Sequence, residues 1–250
     1  MIQSHINPYK SLKQHVEEVG IASNAILEKH SIFVKTFIAE HIEYVVKFHD
    51  LGKAIPEFQK YIKNPKKYTG NRRNKAHAPV SMLFWLLFAQ ENNIPKDVVL
   101  LVVSVVWKHH GDFPTFESLL YDTLYEYEDD FKISEYPINK IRSELNLDLD
   151  LNYDADEFDI EDVFANDFIE KKSFAKAAEL KVKALLLFSI LLEADRTFLA
   201  LPEEYLKLKI TPEDQVKINQ EIVSSFLIEK SKTGNQNKIL NQYRTNLRNK

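Results

Sequence analysis

His49 and Asp50, in the stretch Phe48-His49-Asp50-Leu51-Gly52-Lys53, are the residues of this chain best suited to chemistry. An imidazole and a carboxylate at adjacent positions can bind one metal ion, and the second carboxylate oxygen can bridge to another. Alone, the pair is weak evidence, because such dipeptides often end helices without any catalytic role. The residues around it in the sequence strengthen the hypothesis of a metal site.

Other residues suited to metal binding occur along most of the chain. They are His15 upstream and, downstream, His77, the adjacent pair His109 and His110, and Asp195. The chain contains no cysteine, which excludes disulfides and thiolate metal sites and leaves imidazole and carboxylate as ligands. Each histidine alone is more often a core residue with a satisfied hydrogen bond, and Asp195 could instead pair with Arg196.

The order of these residues (His, His-Asp, His, His-His, Asp) resembles the HD superfamily of metal-dependent phosphohydrolases. The doubled histidine before Gly111, with Lys53 three residues after Asp50, is similar to the HD nuclease of type I CRISPR systems. In that family the nuclease is a separate protein or the N-terminal domain of a nuclease-helicase. The resemblance covers roughly residues 10–200. It implies an all-α fold, an HD-domain helical bundle with the metal site in its core.

The resemblance also implies a role for each site residue. One ion would be held by His15, His49, Asp50 and Asp195, and a second by Asp50, His77, His109 and His110. Asp50 would bridge two ions about 3.5–4 Å apart, which together activate a water and neutralise the leaving oxygen. His49, Asp50 and Lys53 are the expected catalytic residues; Lys53 would supply positive charge to the phosphate, or alternatively form a salt bridge to Asp50.

The expected cofactor is one or two divalent transition-metal ions. Imidazole-rich ligation favours manganese, iron, cobalt or nickel, with magnesium or calcium as alternatives. The implied activity is hydrolysis of phosphodiester bonds in single-stranded DNA during CRISPR interference, by internal cutting with exonuclease action as a second mode. RNA is a second candidate substrate. The expected partners are an RNA-guided surveillance complex and a helicase, in trans or fused C-terminally, since the chain has no Walker A motif.

Two other functions stay open. The first is hydrolysis of nucleotides or cyclic nucleotides on the same fold, which would use the same metals in a closed pocket. The second is a scaffold that keeps the fold and binds partners without catalysis. A nucleotide panel would test the first, and unchanged partner binding by metal-free protein would support the second.

Residues 63–75 form a basic segment without an acidic residue. Its six basic residues are Lys63, Lys66, Lys67, Arg72, Arg73 and Lys75. Most such runs are solvated loops, but this one leads directly into His77, which favours attraction of nucleic-acid phosphates beside the site. Tyr68 could stack on a base. The net charge of −4 argues against a protein whose whole surface binds nucleic acid.

Helical periodicity predicts the elements that position these residues. A helix over residues 11–29 begins with a capping box from Ser11 to Gln14 and places His15 on its buried face. A second, over residues 33–49, ends at His49 with Gly52 as its stop. Pro56 begins a short helix, and His77 begins the next.

Residues 96–110 have the β-propensity of a strand, but their length among other helices favours a helix that ends at Gly111. A long helix over residues 173–194 carries an apolar stripe that Asp195 continues. The predicted stripe consists of Ala177, Leu180, Ala184, Leu187, Phe188 and Leu191. His5 and His30 are interpreted as surface or capping residues, and His41 as an inward-facing residue without an assigned role.

The other segments have weaker signals. Residues 112–135 suggest a helix near or over the site, residues 139–145 a further helical piece, and residues 148–162, with eight acidic residues, a solvated insertion. A final helix is expected over residues 211–230, which completes an HD domain of residues 1–230, and residues 231–250 form a basic arm or the start of a linker. Without a signal peptide or a long apolar run, we expect a cytoplasmic protein that does not bind membranes.

Overall fold

The computed structural model describes residues 1–111, 113, 136–147, 174–200 and 224. Within these residues the protein is mainly helical, as predicted. The strands are β1 (Gln3–Ile6) and β2 (Tyr9–Ser11). The helices are α1 (Leu12–Glu28), α2 (Ile32–Phe48), α3 (Pro56–Lys63), α4 (His77–Glu91), α5 (Lys96–Lys108), α6 (Ile138–Leu145) and α7 (Phe174–Ala200), with short 3-10 helices at Leu51–Ala54 and Arg73–Lys75.

Several predicted segments lie outside the described residues. They are the helix over the site apart from Phe113 at its start, the acidic insertion, the final helix apart from Ser224, and the basic arm. The chain divides into two compact units, Met1–Pro202 and Glu203–Lys250, and all the elements above belong to the first. The HD-domain limit at residue 230 stays a prediction. Among the described residues, we find no helix with the length and apolar character needed to cross a bilayer.

Side chains cap the first two helices, at Ser11 as predicted and at Ser31, two residues before the predicted start of the second helix. Ser11 Oγ accepts a hydrogen bond from the Gln14 backbone N–H (3.1 Å), and Ser31 Oγ accepts one from the Val34 backbone N–H (3.4 Å). The Gln14 side chain donates to Glu18 (2.9 Å). One of the two hydrogen bonds of the predicted capping box is therefore present, and Gln14 instead stabilises the next turn of α1.

Gly52 does not end α2 as predicted. The helix ends at Phe48 with His49 as its C-cap, and Gly52 lies inside the following 3-10 helix without a positive φ. A Cβ at Gly52 would lie 2.0 Å from the His77 carbonyl oxygen, and the Gly52 N–H donates to Ser81 Oγ (2.8 Å). Glycine is therefore needed here because the turn after Asp50 packs directly on the first turn of α4.

Helix α4 is the centre of the core. It is buried from Pro79 to Leu87 and packs against α5 and the 3-10 helix that follows Asp50. Trp85 Nε1 donates to the Val99 carbonyl (3.1 Å), which links α4 to the start of α5. The interpretation of residues 96–110 as a helix is thus confirmed, although α5 ends at Lys108 rather than at Gly111.

Helix α7 packs against α1, α2 and α5 and closes the bundle on one side. Of its predicted stripe, Leu180, Ala184, Leu187 and Leu191 are buried and Phe188 is half-buried. The prediction is wrong for Ala177, which is exposed near the start of the helix. The helix also continues past Asp195 to Ala200, so this aspartate lies within a regular helix rather than at its end.

A short antiparallel hairpin, which the sequence analysis did not predict, precedes α1. Its first strand is fastened to α3, because the Gln3 backbone and the Gln59 side chain exchange hydrogen bonds of 3.1 and 2.8 Å. Glu144 on α6 accepts from the Ile2 backbone N–H (2.8 Å). Lys10 pairs with Glu18 and donates to the Phe198 carbonyl on α7 (3.1 Å). These interactions fix the first ten residues of the chain against four helices, α1, α3, α6 and α7.

Candidate metal centre

The seven sequence-predicted ligands come together in two groups that share Asp50. One group is His15, His49, Asp50 and Asp195, and the other is Asp50, His77, His109 and His110. Within each group, one ligand atom from every residue lies within 4.8 Å of the others. These are the same two sets that the family resemblance implies.

Asp50 joins the two groups through its separate carboxylate oxygens. Oδ2 lies 2.8 Å from His15 Nε2 and 3.4 Å from His49 Nε2, whereas Oδ1 lies 3.1 Å from His77 Nε2 and 3.5 Å from His109 Nε2. The side chain is 1% exposed. A carboxylate so placed can bridge two cations, one on each oxygen.

Helix ends position most of the imidazoles. His49 caps α2, His77 is the first residue of α4, and His109 caps α5. Because α5 ends at Lys108, the rings of His109 and His110 need not follow one helical face, and their centroids lie only 3.9 Å apart. Both rings reach His77, and the His110 and His77 Nε2 atoms lie 2.9 Å apart.

Backbone carbonyls orient two of the buried histidines. His49 Nδ1 lies 2.8 Å from the Val46 carbonyl oxygen, and His109 Nδ1 lies 2.5 Å from the Val106 carbonyl oxygen. A carbonyl can only accept, so Nδ1 carries the proton in each ring and Nε2 keeps its lone pair. Metal-binding histidines usually have such a partner on the other ring nitrogen.

Several buried polar atoms at the centre lack a hydrogen bond from the described residues. They are both Asp50 carboxylate oxygens, whose short ion-pair distances do not have hydrogen-bond geometry, and His109 Nε2. Two ring nitrogens of the centre also face each other, because His15 Nε2 and His49 Nε2 lie 3.3 Å apart. Carboxylate oxygens without a hydrogen bond and converging imidazole nitrogens fit divalent cations, which satisfy several acceptors at once.

The two aspartates are ionised. Burial would raise the pKa of Asp50, but Lys53, followed by His49, His109 and His15, holds that pKa well below its usual value. Burial and Asp50 both act to raise the pKa of Asp195, yet its interactions with His15 and His49 lower it to about 2. The same ion pairs act on His15, whose pKa is raised because Asp195 and Asp50 outweigh the effect of burial.

Most of the other imidazoles are held in the neutral form. Burial lowers the pKa of His49, lowers the pKa of His77 to about 4 and lowers the pKa of His110 to about 3. Neighbouring histidines contribute to each of these shifts. Neutral imidazole is the form that binds a metal, so these residues need no deprotonation before binding at neutral pH.

Lys53 has the salt-bridge geometry that the sequence analysis gave as its alternative role. Its Nζ lies 2.6 Å from Asp50 Oδ2 and donates to Ser4 Oγ (3.2 Å), and the residue is 5% exposed. The ammonium therefore neutralises Asp50 within the protein. A role of Lys53 toward phosphate stays a prediction.

His5 is a residue of this region that the sequence analysis misplaced as a surface or capping residue. Its ring meets that of His15 edge-on, with centroids 4.7 Å apart, and its Nδ1 is buried. Burial, followed by the charge of Lys53, lowers the pKa of His5 to about 4. No periodic signal marks a strand of four residues, so only the folded chain reveals this position. His30 is exposed, as predicted, and His41 is buried on α2.

The basic segment runs along the surface to His77. Five of its six basic residues are exposed, and Lys75 lies half-buried with its Nζ 3.6 Å from the centroid of the Tyr61 ring. The Tyr68 hydroxyl donates to Glu57 (3.0 Å). Phe58 packs against both Tyr61 and His77, with centroid separations of 6.0 and 5.1 Å. A row of aromatic rings thus connects the basic segment to the centre.

Comparison with protein families places most of the chain in a known family. The family model described as "Cas3, HD domain" matches residues 3–186, well over half of the chain. The match includes the hairpin and six of the seven candidate ligands, and it ends before Asp195. No curated protein and no solved structure matches the chain.

Proposed function

Since the chain belongs to the Cas3 HD domain family, and so is a metal-dependent HD-type nuclease of CRISPR systems, we propose that it cuts single-stranded DNA and acts with a helicase. The observation that carries this proposal is the position of the buried Asp50 carboxylate. Its Oδ2 faces His15 in one group of candidate ligands, and its Oδ1 faces His77 in the other. A separate or fused helicase would deliver single strands, and an RNA-guided surveillance complex would select the target. Both partners are part of the proposal.

The proposed ligands are the two groups that share Asp50. His15, His49, Asp50 and Asp195 would hold one cation, and Asp50, His77, His109 and His110 would hold a second. Divalent cations there would polarise the phosphoryl group and make a water more acidic. The high proportion of imidazole favours manganese, iron, cobalt or nickel over magnesium or calcium. His49 and Asp50, which directly follow α2, would bind the cations from the end of that helix.

Lys53 is proposed to supply charge to the substrate. In the present arrangement its ammonium pairs with Asp50 Oδ2. Cations bound at Asp50 would compete for the same oxygen, which would leave the lysine charge available to a phosphate oxygen. Ser4, which accepts from Lys53 Nζ, holds the ammonium beside the centre.

The open side of the centre supports a polymer as the substrate. His49 and His15 are almost completely buried, whereas His77 is 13% exposed and His110 is exposed. The basic segment leads directly to this exposed pair. Positive charge along that approach would attract the phosphates of a strand, and an enclosed nucleotide pocket would not require it. We therefore place the nucleic-acid path along Lys63, Lys66, Lys67, Arg72, Arg73 and Lys75.

The test is cleavage of circular single-stranded DNA by protein stripped of metal with EDTA. Manganese, cobalt or magnesium is then restored, with Asp50→Ala as the inactive variant and His30→Ala, at an exposed histidine, as its control. Circles have no ends, so nicking reports an internal cut. We expect metal-dependent nicking that Asp50→Ala abolishes and His30→Ala retains.

Other outcomes of the same experiment would contradict the proposal. Hydrolysis of a nucleotide panel without cleavage of circles would favour the nucleotide phosphohydrolase. Neither activity, with partner binding unchanged after metal removal, would favour the scaffold. Circular RNA included as a substrate would show whether the chain discriminates between the two nucleic acids.

A further inference from the structure

The amino-terminal hairpin brings two successive residues to the candidate metal centre. Ser4, which is 2% exposed, hydrogen-bonds Lys53 Nζ, and the ring of His5 meets that of His15 edge-on at an interplanar angle of 69°. In a regular strand, neighbouring side chains point to opposite faces. The pairing of β1 with β2 shifts register between Gln3 and His5, and such an irregularity can redirect a side chain.

The position of His5 follows from hydrogen bonds that anchor the two residues at the start of its strand, Ile2 and Gln3. Gln59 Nε2 donates to the carbonyls of both Gln3 (2.8 Å) and Lys53 (2.7 Å), so it ties β1 to the turn that follows Asp50. The Leu12 N–H also donates to the Ile2 carbonyl (2.8 Å), which joins the hairpin to the start of α1. Hydrogen bonds to the backbone of the hairpin, rather than contacts of the His5 side chain, therefore hold His5 beside His15.

The Nδ1 atom of His5 is a buried polar atom to which the described part of the chain offers no hydrogen bond. Native proteins satisfy nearly all buried polar atoms, and an exception beside a functional centre calls for a ligand or a water. His5 does not belong to either group of mutually close ligand atoms, so direct coordination is not the explanation that the geometry favours.

We propose that His5 is a further positioning residue of this centre, whose Nδ1 hydrogen-bonds an oxygen atom held beside His15, Asp50 and Asp195. The oxygen belongs either to a phosphate of the DNA or to a water molecule at the centre. As a donor, Nδ1–H would bind a phosphate oxygen; as an acceptor, Nδ1 would orient a water. The phosphate form rests on the proposed nuclease function, and the water form rests only on cation binding.

Three substitutions separate a hydrogen-bonding role from a packing role. His5→Phe keeps a ring to pack against His15 but removes both nitrogens. His5→Asn keeps a polar atom on Cγ, the atom to which Nδ1 is attached, and His5→Gln moves that polar atom one bond farther from the backbone. His30→Phe, at an exposed histidine, is the control for the loss of an imidazole elsewhere.

Two measurements on the full chain distinguish the sources of the oxygen. The first is titration of metal-free protein with Co²⁺ by visible absorption in the absence of DNA. The second is the determination of kcat and KM on single-stranded DNA at saturating Mn²⁺. Thermal unfolding of each variant reports whether the hairpin still folds.

If the oxygen is that of a water, His5→Phe weakens Co²⁺ binding about five- to tenfold, the effect of one ordinary hydrogen bond. If it is that of a phosphate, Co²⁺ binding is unchanged and KM rises by a similar factor. In either case, the affected quantity (Co²⁺ affinity or KM) stays close to its native value in His5→Asn but not in His5→Gln.

Native values for His5→Phe in both measurements would overturn the proposal. So would equal losses in His5→Phe and His5→Asn together with a lower unfolding temperature, since these would indicate packing alone. The Co²⁺ titration does not depend on DNA cleavage. A chain whose Co²⁺ affinity falls in His5→Phe but that cuts no DNA would contradict the proposed nuclease and leave this inference standing.

Discussion

The ammonium of Lys53 lies 2.6 Å from Oδ2 of Asp50, and both side chains are buried. The aspartate of this charged pair is the residue that both groups of candidate ligands share. Lys53 and bound cations would therefore interact with the same carboxylate, that of Asp50. The stability of the protein without metal and its affinity for metal are coupled through this one carboxylate.

Removal of the Lys53 charge should destabilise the metal-free protein more than the metal-loaded protein. Lys53→Met leaves Asp50 buried without its ammonium, which costs about 3–5 kcal/mol when a buried pair is broken. Added Mn²⁺ should restore a large part of this loss, because cations then neutralise the carboxylate. Denaturant unfolding with and without Mn²⁺ measures both values.

Lys60→Met provides the matched control for that substitution. Lys60 also pairs with a carboxylate three residues away, Glu57, but it is 67% exposed. The expected change in unfolding free energy is below about 1 kcal/mol, as for other exposed pairs. An equal loss for Lys53→Met with and without Mn²⁺ would show that metal and lysine do not share Asp50.

Gly52→Ala should disturb the centre, although Gly52 is not one of the candidate metal ligands. The added Cβ would lie 2.0 Å from the His77 carbonyl oxygen, so the turn after Asp50 and the start of α4 must separate. We expect a loss of at least about 1–3 kcal/mol from overpacking and weaker binding of Co²⁺. Unfolding and metal titration give these two values.

Gly20→Ala is the control for the glycine substitution. It lies within α1, and its added Cβ would meet only Val46 Cγ1 at 3.6 Å. Alanine is favoured over glycine in a helix by about 0.8–1 kcal/mol, so this variant should be as stable as the native chain or more stable. If both variants behaved alike, the close approach at Gly52 would not matter.

The metal-free protein should lose stability as the pH falls from about 6.5 to about 4. The pKa of His77 is about 4 in the folded protein, against 6.5 for an unperturbed histidine, so the unfolded chain binds more protons between these pH values. His77 alone corresponds to a loss on the order of 3 kcal/mol across this window. Its contribution is fully present above about pH 6.5.

His15 opposes this trend, since its raised pKa gives stability that is present below about pH 6.5 and lost as the pH rises. His5 and His110 act in the same direction as His77. Unfolding curves of the metal-free chain at about pH 4.5, 5.5 and 6.5, compared with those of His77→Gln, measure the balance. We expect a shallower pH dependence in the variant, and an unchanged slope would contradict the assignment of a neutral His77.

Neutralising the basic segment should weaken binding of single-stranded DNA and make it less sensitive to salt. For Lys66→Gln with Lys67→Gln, KM should rise, and the slope of log affinity against log salt should fall by about 0.7 for each phosphate that the protein no longer neutralises. Fluorescence anisotropy with a labelled strand in EDTA measures affinity without cleavage.

Lys13→Gln with Lys181→Gln removes the same charge from exposed positions on α1 and α7. This double variant should keep the native salt slope. Equal effects of the two double variants would indicate that net charge rather than a defined path attracts the strand.

Helical periodicity predicted most of the described fold because each helix carries its signal locally. The start of α1 at Ser11, that of α3 at Pro56 and that of α4 at His77 follow from caps and apolar spacing. The grouping of the candidate ligands came from family resemblance, since no local signal brings residues as distant as His15 and Asp195 together.

The features that sequence analysis missed depend on interactions between distant residues. The hairpin is too short for a periodic signal, and its place is set by Gln59 and Glu144, far along the chain. The misplacement of His5 follows from the missed hairpin. Gly52 was misinterpreted for a related reason, because glycine marks both helix ends and close approaches, and only the position of α4 distinguishes them.

The carbonyls that orient His49 and His109 have a consequence for mutational robustness. Each ring is aligned by the main-chain oxygen of the residue three positions earlier, Val46 or Val106. Every amino acid supplies that oxygen, so no replacement at these valines removes the acceptor while the helix persists. If an aspartate or glutamate side chain were the acceptor, a single substitution could remove it. The main-chain acceptors of these two imidazoles cannot be removed in that way.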